Sequence, residues 1–338
     1  MNTVSHEADT DRTSRILQVP PKDENDFWLG LLSRNSGSPN KSLPPVLLVH
    51  GATFGSELFD LPLPGYSLME ELAAHGRPVY ALDVRGYGHS LGGRQMNEPP
   101  ALNPPFARLD DAVKDIGTAV EFILRLEEAS TVHLVGFSWG TVACARYVCR
   151  ESSYVSRLVL YAPLYAEMNP MWLERIGDPN DRTKLDPNIG AYRFVKEDDV
   201  RNRWDSDIGS PYPDVYREHN LPEIIFESLA SLDPLAYSQQ PPAFRSPTGA
   251  LADLIGIFNG RPLYDPEKIA IPILLIRGDN DTTSTDTDAK NLLSRIASKQ
   301  KEYEVVTPGS HFLCVEKNRA KLYQSLNKFL SLADPDLG

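Results

Sequence analysis

Residues 132–141 read VHLVGFSWGT: a strand-like run from Val132 to Val135, apolar but for His133, then Gly136-Phe137-Ser138-Trp139-Gly140, then a segment of helical character from Thr141 onward. A G-x-S-x-G pattern recurs by chance in chains of this length, so its setting decides its meaning. Here it falls where a strand turns sharply into a helix. Such a turn holds its central residue in a strained backbone conformation, and glycines two before and two after remove the Cβ atoms that would collide. Ser138 is thereby lifted at the carboxyl edge of a sheet. Because it opens a helix, the Trp139 amide and the positive helix end face any oxygen that gains negative charge there.

Outward from this turn, apolar strands and amphipathic helices alternate. The run Val46 to Val49 has the unbroken apolar character of a strand covered on both faces and ends at His50-Gly51. Further strands are expected at 79–84, 132–137, 155–161, 272–277 and 302–306, and helices at 67–74, 109–128, 141–150, 287–298 and 317–332. In the long helix Val113, Ile116, Val120, Ile123 and Leu124 recur at three- and four-residue spacing, with Asp111, Lys114, Asp115 and Glu121 on the other faces. Two short strands, 15–19 and 27–33, read as an opening hairpin, followed by a Ser/Gly/Pro/Asn-rich link over 36–42. The order predicts an α/β fold, a doubly wound, mostly parallel sheet joined by right-handed crossovers.

The alternation breaks over 164–268, a stretch rich in Pro, Asp and aromatics that carries no apolar strand run. It predicts an inserted, mainly helical cap. The expected organisation is a flexible tail over 1–14, a core of 15–163 and 269–338, and the cap at 164–268. Trp172, Tyr192, Phe194, Trp204, Tyr212, Tyr216, Phe226, Phe244 and Phe258 give the cap aromatic surface for a small core and a pocket wall. Arg175, Arg193, Arg201 and Arg203 could bind a substrate carboxylate, but they sit in an exposed, charge-mixed stretch and are expected to be solvated.

From about Val46 to Leu332 the chain resembles the α/β-hydrolase fold family, whose motifs arrive here in the family's order. Leu48-Val49-His50-Gly51-Ala52-Thr53-Phe54 resembles the loop that supplies the second oxyanion donor, which makes the Ala52 amide the partner of the Trp139 amide, with Thr53 next in line. His50 reads as a brace for that loop. Leu82-Asp83-Val84-Arg85-Gly86-Tyr87-Gly88-His89-Ser90 resembles a D-x-R-G-x-G-x-S loop that supports the site without chemistry of its own. A serine hydroxyl is a poor nucleophile at neutral pH and needs a histidine within hydrogen-bond reach and a carboxylate to hold the imidazole in the right tautomer. His311, in Thr307-Pro-Gly-Ser-His311-Phe, follows the last predicted strand and matches the family's histidine loop. The strand at 272–277 runs into Gly278-Asp279-Asn280-Asp281, and the family places its acid three residues after that glycine, at Asp281. Asp279 is the adjacent competitor, suited to capping the turn, and Glu167 a more distant one, since some relatives carry the acid after the preceding strand.

Bulk properties narrow the function class. The chain has 338 residues, 46 acidic against 34 basic, for a net charge of -12, and shows no basic patch, so nucleic acid and anionic membrane surfaces are not expected partners. The apolar runs fall far short of the roughly 20 residues that span a bilayer, and residues 1–15 lack the apolar core of a secretory signal. Cys144, Cys149 and Cys314 form an odd set without metal-ligand spacing, which fits a reducing cytoplasm; Cys314 reads as a small buried apolar residue.

The combined reading is a serine hydrolase acting on a small-molecule acyl substrate, an ester, lactone or thioester, through an acyl-enzyme on Ser138, with no cofactor; self-association as a homodimer is compatible with the sequence. A serine at the elbow argues against the dehalogenase and epoxide-hydrolase branches of the fold, which attack with aspartate. Ser138-Trp139-Gly140 is similar to the elbow of proline iminopeptidases, but their His-Gly-Gly-Pro-Gly loop is replaced by His50-Gly51-Ala52-Thr53-Phe54, which ranks peptide cleavage below ester hydrolysis. The same residues are also compatible with carbon–carbon bond hydrolysis and with a non-catalytic ligand receptor on this fold.

Overall fold

A computed structural model describes residues 14–23, 27–35, 40, 42–208 and 212–332. The expected tail over 1–14 and the link over 36–42 fall almost wholly outside the described residues.

The chain opens with β1 (Arg15–Val19) and β2 (Leu29–Arg34), the predicted antiparallel hairpin, with Leu17 opposite Leu31. There follow β3 (Val46–Val49), α1 (Leu68–Ala73), β4 (Val79–Leu82), the short α2 (Arg94–Asn97), α3 (Leu109–Glu127), β5 (Val132–Phe137), α4 (Trp139–Glu151) and β6 (Val155–Tyr161). Ser67 opens α1 by accepting the Glu70 amide at 2.8 Å, which satisfies one of the orphan amides of the first turn. After an inserted segment, the sheet resumes with β11 (Ile273–Gly278), α9 (Asp286–Arg295), β12 (Lys301–Val306) and α10 (Arg319–Leu330).

The eight-stranded sheet has the order β1-β2-β4-β3-β5-β6-β11-β12, and every pair from β4 to β12 is parallel. Both faces are covered. Alternation along β3 sends Leu47 and Val49 into a core shared with Ile116 and Val120 of α3 and Val142 of α4, and Val46 and Leu48 into a second core with Leu68 and Leu72 of α1 and Leu322 and Leu326 of α10. Chain order reverses between β3 and β5, and in open α/β sheets the crevice beyond the carboxyl ends at such a switch point is where ligands bind.

Asp115 departs from the helical pattern. It is buried, because α3 turns it toward Arg85, which donates to it from Nη2 at 2.6 Å and from the backbone amide at 3.0 Å. Periodicity locates a helix face but not the ion pair that lets a charge join it.

The inserted segment carries α5 (Pro170–Ile176), α6 (Glu197–Ile208), α7 (Leu221–Ala230) and α8 (Gly249–Ile257), so helix predominates, but it also holds four strands that the sequence did not predict. β7 (Gly177–Asp178) pairs with β8 (Asp181–Leu185), and β9 (Tyr192–Lys196) with β10 (Ala243–Pro247), both antiparallel. β10 is buried along its length although it contains Arg245, because Asp233 pairs with that guanidinium at 2.7 Å. The segment touches the loops that follow β3, β11 and β12: Arg193 meets Thr53, Trp172 and Arg203 meet Thr283, and Trp204 meets Glu316.

Candidate active site

Ser138 sits between β5 and α4 with φ 54° and ψ −122°, a conformation that non-glycine residues rarely adopt. The surroundings enforce it. A Cβ on Gly136 would run into the backbone of Gly140, and one on Gly140 into the carbonyl oxygens of Val49 and His50, so the turn can be this tight only with glycine at both places. The Ser138 amide donates to Tyr161 O at 3.0 Å, and its carbonyl accepts from the Thr141 amide and hydroxyl at 2.9 and 2.5 Å. The side chain is left facing the carboxyl edge of the sheet.

There it meets His311. Nε2 of His311 lies 2.9 Å from Ser138 Oγ, and Nδ1 lies 2.8 Å from Asp281 Oδ2. The tautomer that satisfies both bonds carries its proton on Nδ1, donates it to Asp281, and leaves Nε2 free to accept from the serine hydroxyl. Asp281 Oδ1 accepts the amides of Thr283 at 2.9 Å and Ser284 at 2.8 Å. Burial alone would raise the Asp281 pKa, but His311, the Ser284 amide and the Arg277 charge outweigh it and hold the carboxyl below its ordinary value. Arg277 also fastens the loop, donating to the carbonyls of Asp281 at 2.8 Å and Ser284 at 2.6 Å.

The competing acids are engaged elsewhere. Asp279 accepts the Gly309 amide at 2.9 Å and so ties the acid loop to the histidine loop. Glu167 is hydrogen-bonded to the Thr285 hydroxyl. The histidine loop has further braces: the Tyr161 hydroxyl donates to His311 O at 2.8 Å, and the buried Glu316 carboxylate accepts the Ser310 amide at 2.9 Å and the Trp204 indole at 3.0 Å. Nothing in the sequence marked Glu316, because its partners are brought to it by the fold of its own loop, at Ser310, and by the inserted segment, at Trp204. Cys314 is buried, and burial pushes its thiol up to about 12, so it remains protonated.

The β3 loop closes the other side. A Cβ on Gly51 would lie 3.0 Å from Ser138 Cβ, which brings the Gly51-Ala52 backbone against the serine. The Tyr87 hydroxyl donates to Ala52 O at 2.9 Å, and neither the Ala52 nor the Trp139 amide donates a hydrogen bond among the described residues. His50 braces this loop: Nδ1 donates to Gly51 O at 2.8 Å, Nε2 accepts the Val84 amide at 3.1 Å, and burial keeps the ring neutral by lowering its pKa. Asp83 also acts as a brace, accepting the amides of Ser56 at 2.7 Å and His89 at 2.8 Å.

Above Ser138 and His311 is a cavity of about 40 Å³ whose walls include Ala52, Thr53, Trp172, Arg203, Leu254 and Thr283. Arg203 is therefore not solvated as its charge-mixed stretch suggests. α6 docks on the acid loop, so Arg203 donates to Thr283 Oγ1 at 2.7 Å and pairs with Asp207, its guanidinium packed against the rings of Trp172 and Phe312. Trp172, expected as cap aromatic surface, donates its indole N–H to Thr283 Oγ1 at 2.9 Å.

The profile of the alpha/beta hydrolase family matches residues 46–323. An esterase of Mycobacterium tuberculosis is 23% identical over 292 residues, 82% of this chain and 80% of that protein. An (R)-3-hydroxydecanoyl-ACP:CoA transacylase of Pseudomonas putida is 25% identical over 221 residues, 64% of this chain and 66% of that protein. Among solved structures, an esterase from Exiguobacterium antarcticum superposes with a TM-score of 0.61 at 17% identity, covering 93% of this chain and 99% of its own, a likeness of fold. No described helix is long and apolar enough to cross a membrane.

Proposed function

This chain belongs to the alpha/beta hydrolase family, and on that premise we propose that it is a serine hydrolase that cleaves a small carboxylic ester or related acyl bond through an acyl-enzyme on Ser138. The observation that carries the reading is the unbroken relay from Ser138 Oγ through His311 to Asp281, with links of 2.9 and 2.8 Å. Ser138 Oγ attacks the carbonyl carbon while its proton passes to His311 Nε2, and Asp281 stabilises the imidazolium. The amides of Trp139 and Ala52 hold the oxyanion. Collapse of the tetrahedral intermediate breaks the bond to the leaving alcohol, which takes the proton from His311. Water, deprotonated by the same nitrogen, then frees the acid and restores the serine. The esterase relative supports the ester class. The cavity of about 40 Å³ favours a short acyl chain.

The test is turnover of a p-nitrophenyl ester series by wild type, Ser138→Ala and His311→Ala. Wild type should prefer acetyl and propionyl over octanoyl esters, and both variants should be silent. Folded wild type without turnover on any ester would favour the receptor reading.

A further inference from the structure

The inserted segment brings three cations to the mouth of the pocket, in a chain whose net charge is -12. Arg203 of α6 lines the cavity beside Ser138 and His311, its guanidinium carbon 5.0 Å from the Trp172 ring centre and 5.6 Å from that of Phe312. Arg193 of β9 approaches the opposite wall, where Nη2 donates to Thr53 Oγ1 at 3.0 Å, next to Ala52. Arg175 of α5 packs on Trp172, 5.6 Å from the ring centre.

Thr53 and Thr283 belong to the loops after β3 and β11, so the two guanidiniums that touch them stand on either side of β5 and its serine. Two carboxylates offset part of this charge: Asp207 pairs with Arg203 and also acts on Arg175, and Asp199 acts on Arg193, although neither Arg193 nor Arg175 forms an ion pair among the described residues. Arg193 is solvent-exposed, yet partial desolvation by the atoms around it lowers its pKa, with Tyr87 and Asp199 opposing and the like charge of Arg203 adding to the shift. Like charges gathered beside a largely apolar cavity raise the free energy of the empty site, and a bound anion lowers it. Guanidinium, with its planar fork of donors, suits a carboxylate in particular.

We infer that the preferred substrate carries a carboxylate that binds between Arg193 and Arg203 while its ester carbonyl lies against Ser138, so that anionic esters are chosen over neutral ones of the same shape. This rests on the serine-hydrolase reading above. Two substrate pairs locate the anion: monomethyl succinate against methyl butyrate places it on the acyl side, and O-acetylglycolate against propyl acetate places it on the alcohol side.

With hydrolysis followed by acid release, wild type should show at least about a tenfold higher kcat/KM for the anionic member of one pair, the size expected of a charge-assisted hydrogen bond. Arg193→Gln should erase most of that ratio through KM, Arg193→Lys should restore part of it, and added salt should shrink it in wild type. A wild-type ratio of one or less in both pairs, in protein that a fluorophosphonate labels at Ser138 and that turns over neutral esters, would overturn the inference. Absence of both label and turnover would sink the serine-hydrolase reading, and this inference with it.

Discussion

Two aspartates two residues apart have separate tasks: Asp281 meets the imidazole, and Asp279 meets the Gly309 amide. Replacement of each by asparagine separates them functionally. Asp281→Asn presents an N–H or a neutral oxygen to His311, favours the wrong tautomer, and should cut kcat by on the order of 10⁴-fold. Asp279→Asn keeps a carbonyl oxygen for Gly309 and should change kcat by less than about tenfold, the scale of one neutral hydrogen bond. Equal losses in a p-nitrophenyl acetate assay would contradict the assignment. Ser138 was legible in the sequence from the strand–turn–helix setting of its motif, and His311 and Asp281 from the resemblance of their loops to those of the family. Arg203 and Glu316 were not, because their positions depend on how a distant helix docks, and a charged residue in a mixed-charge stretch looks the same whether it faces water or a pocket.

Elements of the sheet were legible because a strand buried on both faces is apolar along most of its length, as β3 is throughout and as β5 and β11 are but for His133 and Arg277. The inserted ribbons escaped because neither carries a continuous apolar run. β9 reads Tyr192-Arg193-Phe194-Val195-Lys196 with two of five positions buried, and β10 depends on the Arg245–Asp233 pair. The same kind of pair fixes α3 to the loop after β4. Removing Asp115 leaves the buried Arg85 with only the more exposed Asp23 and Asp111 as partners, so Asp115→Ala should cost about 3 kcal/mol in urea unfolding, the low end for breaking a buried pair. Glu121→Ala, further along the same helix, breaks an exposed pair with Lys22 and should cost less than about 1 kcal/mol. Similar losses for the two would show that the Arg85–Asp115 contact does not hold α3 in place.

For the whole molecule, acid is the condition that probes the packed interior. His133, on β5, is buried, and burial together with the charges of Arg77 and Arg157 lowers its pKa from 6.5 to about 3. Between those values the unfolded chain binds a proton that the folded one refuses, so stability falls as pH drops, by at most about 1.4 kcal/mol per unit for this one group. His133→Gln should flatten the dependence of Tm on pH between 6.5 and 4, and an unchanged slope would contradict the neutral buried ring. The parallel sheet, its two cores and the crevice between β3 and β5 converge on Ser138, the proposed nucleophile. The most direct test of that claim is to treat the folded protein with a fluorophosphonate and map the adduct by peptide mass spectrometry. One adduct is expected, on Ser138, formed far more slowly in His311→Ala; an adduct on another residue, or folded wild-type protein that takes none, would contradict the proposed role of Ser138.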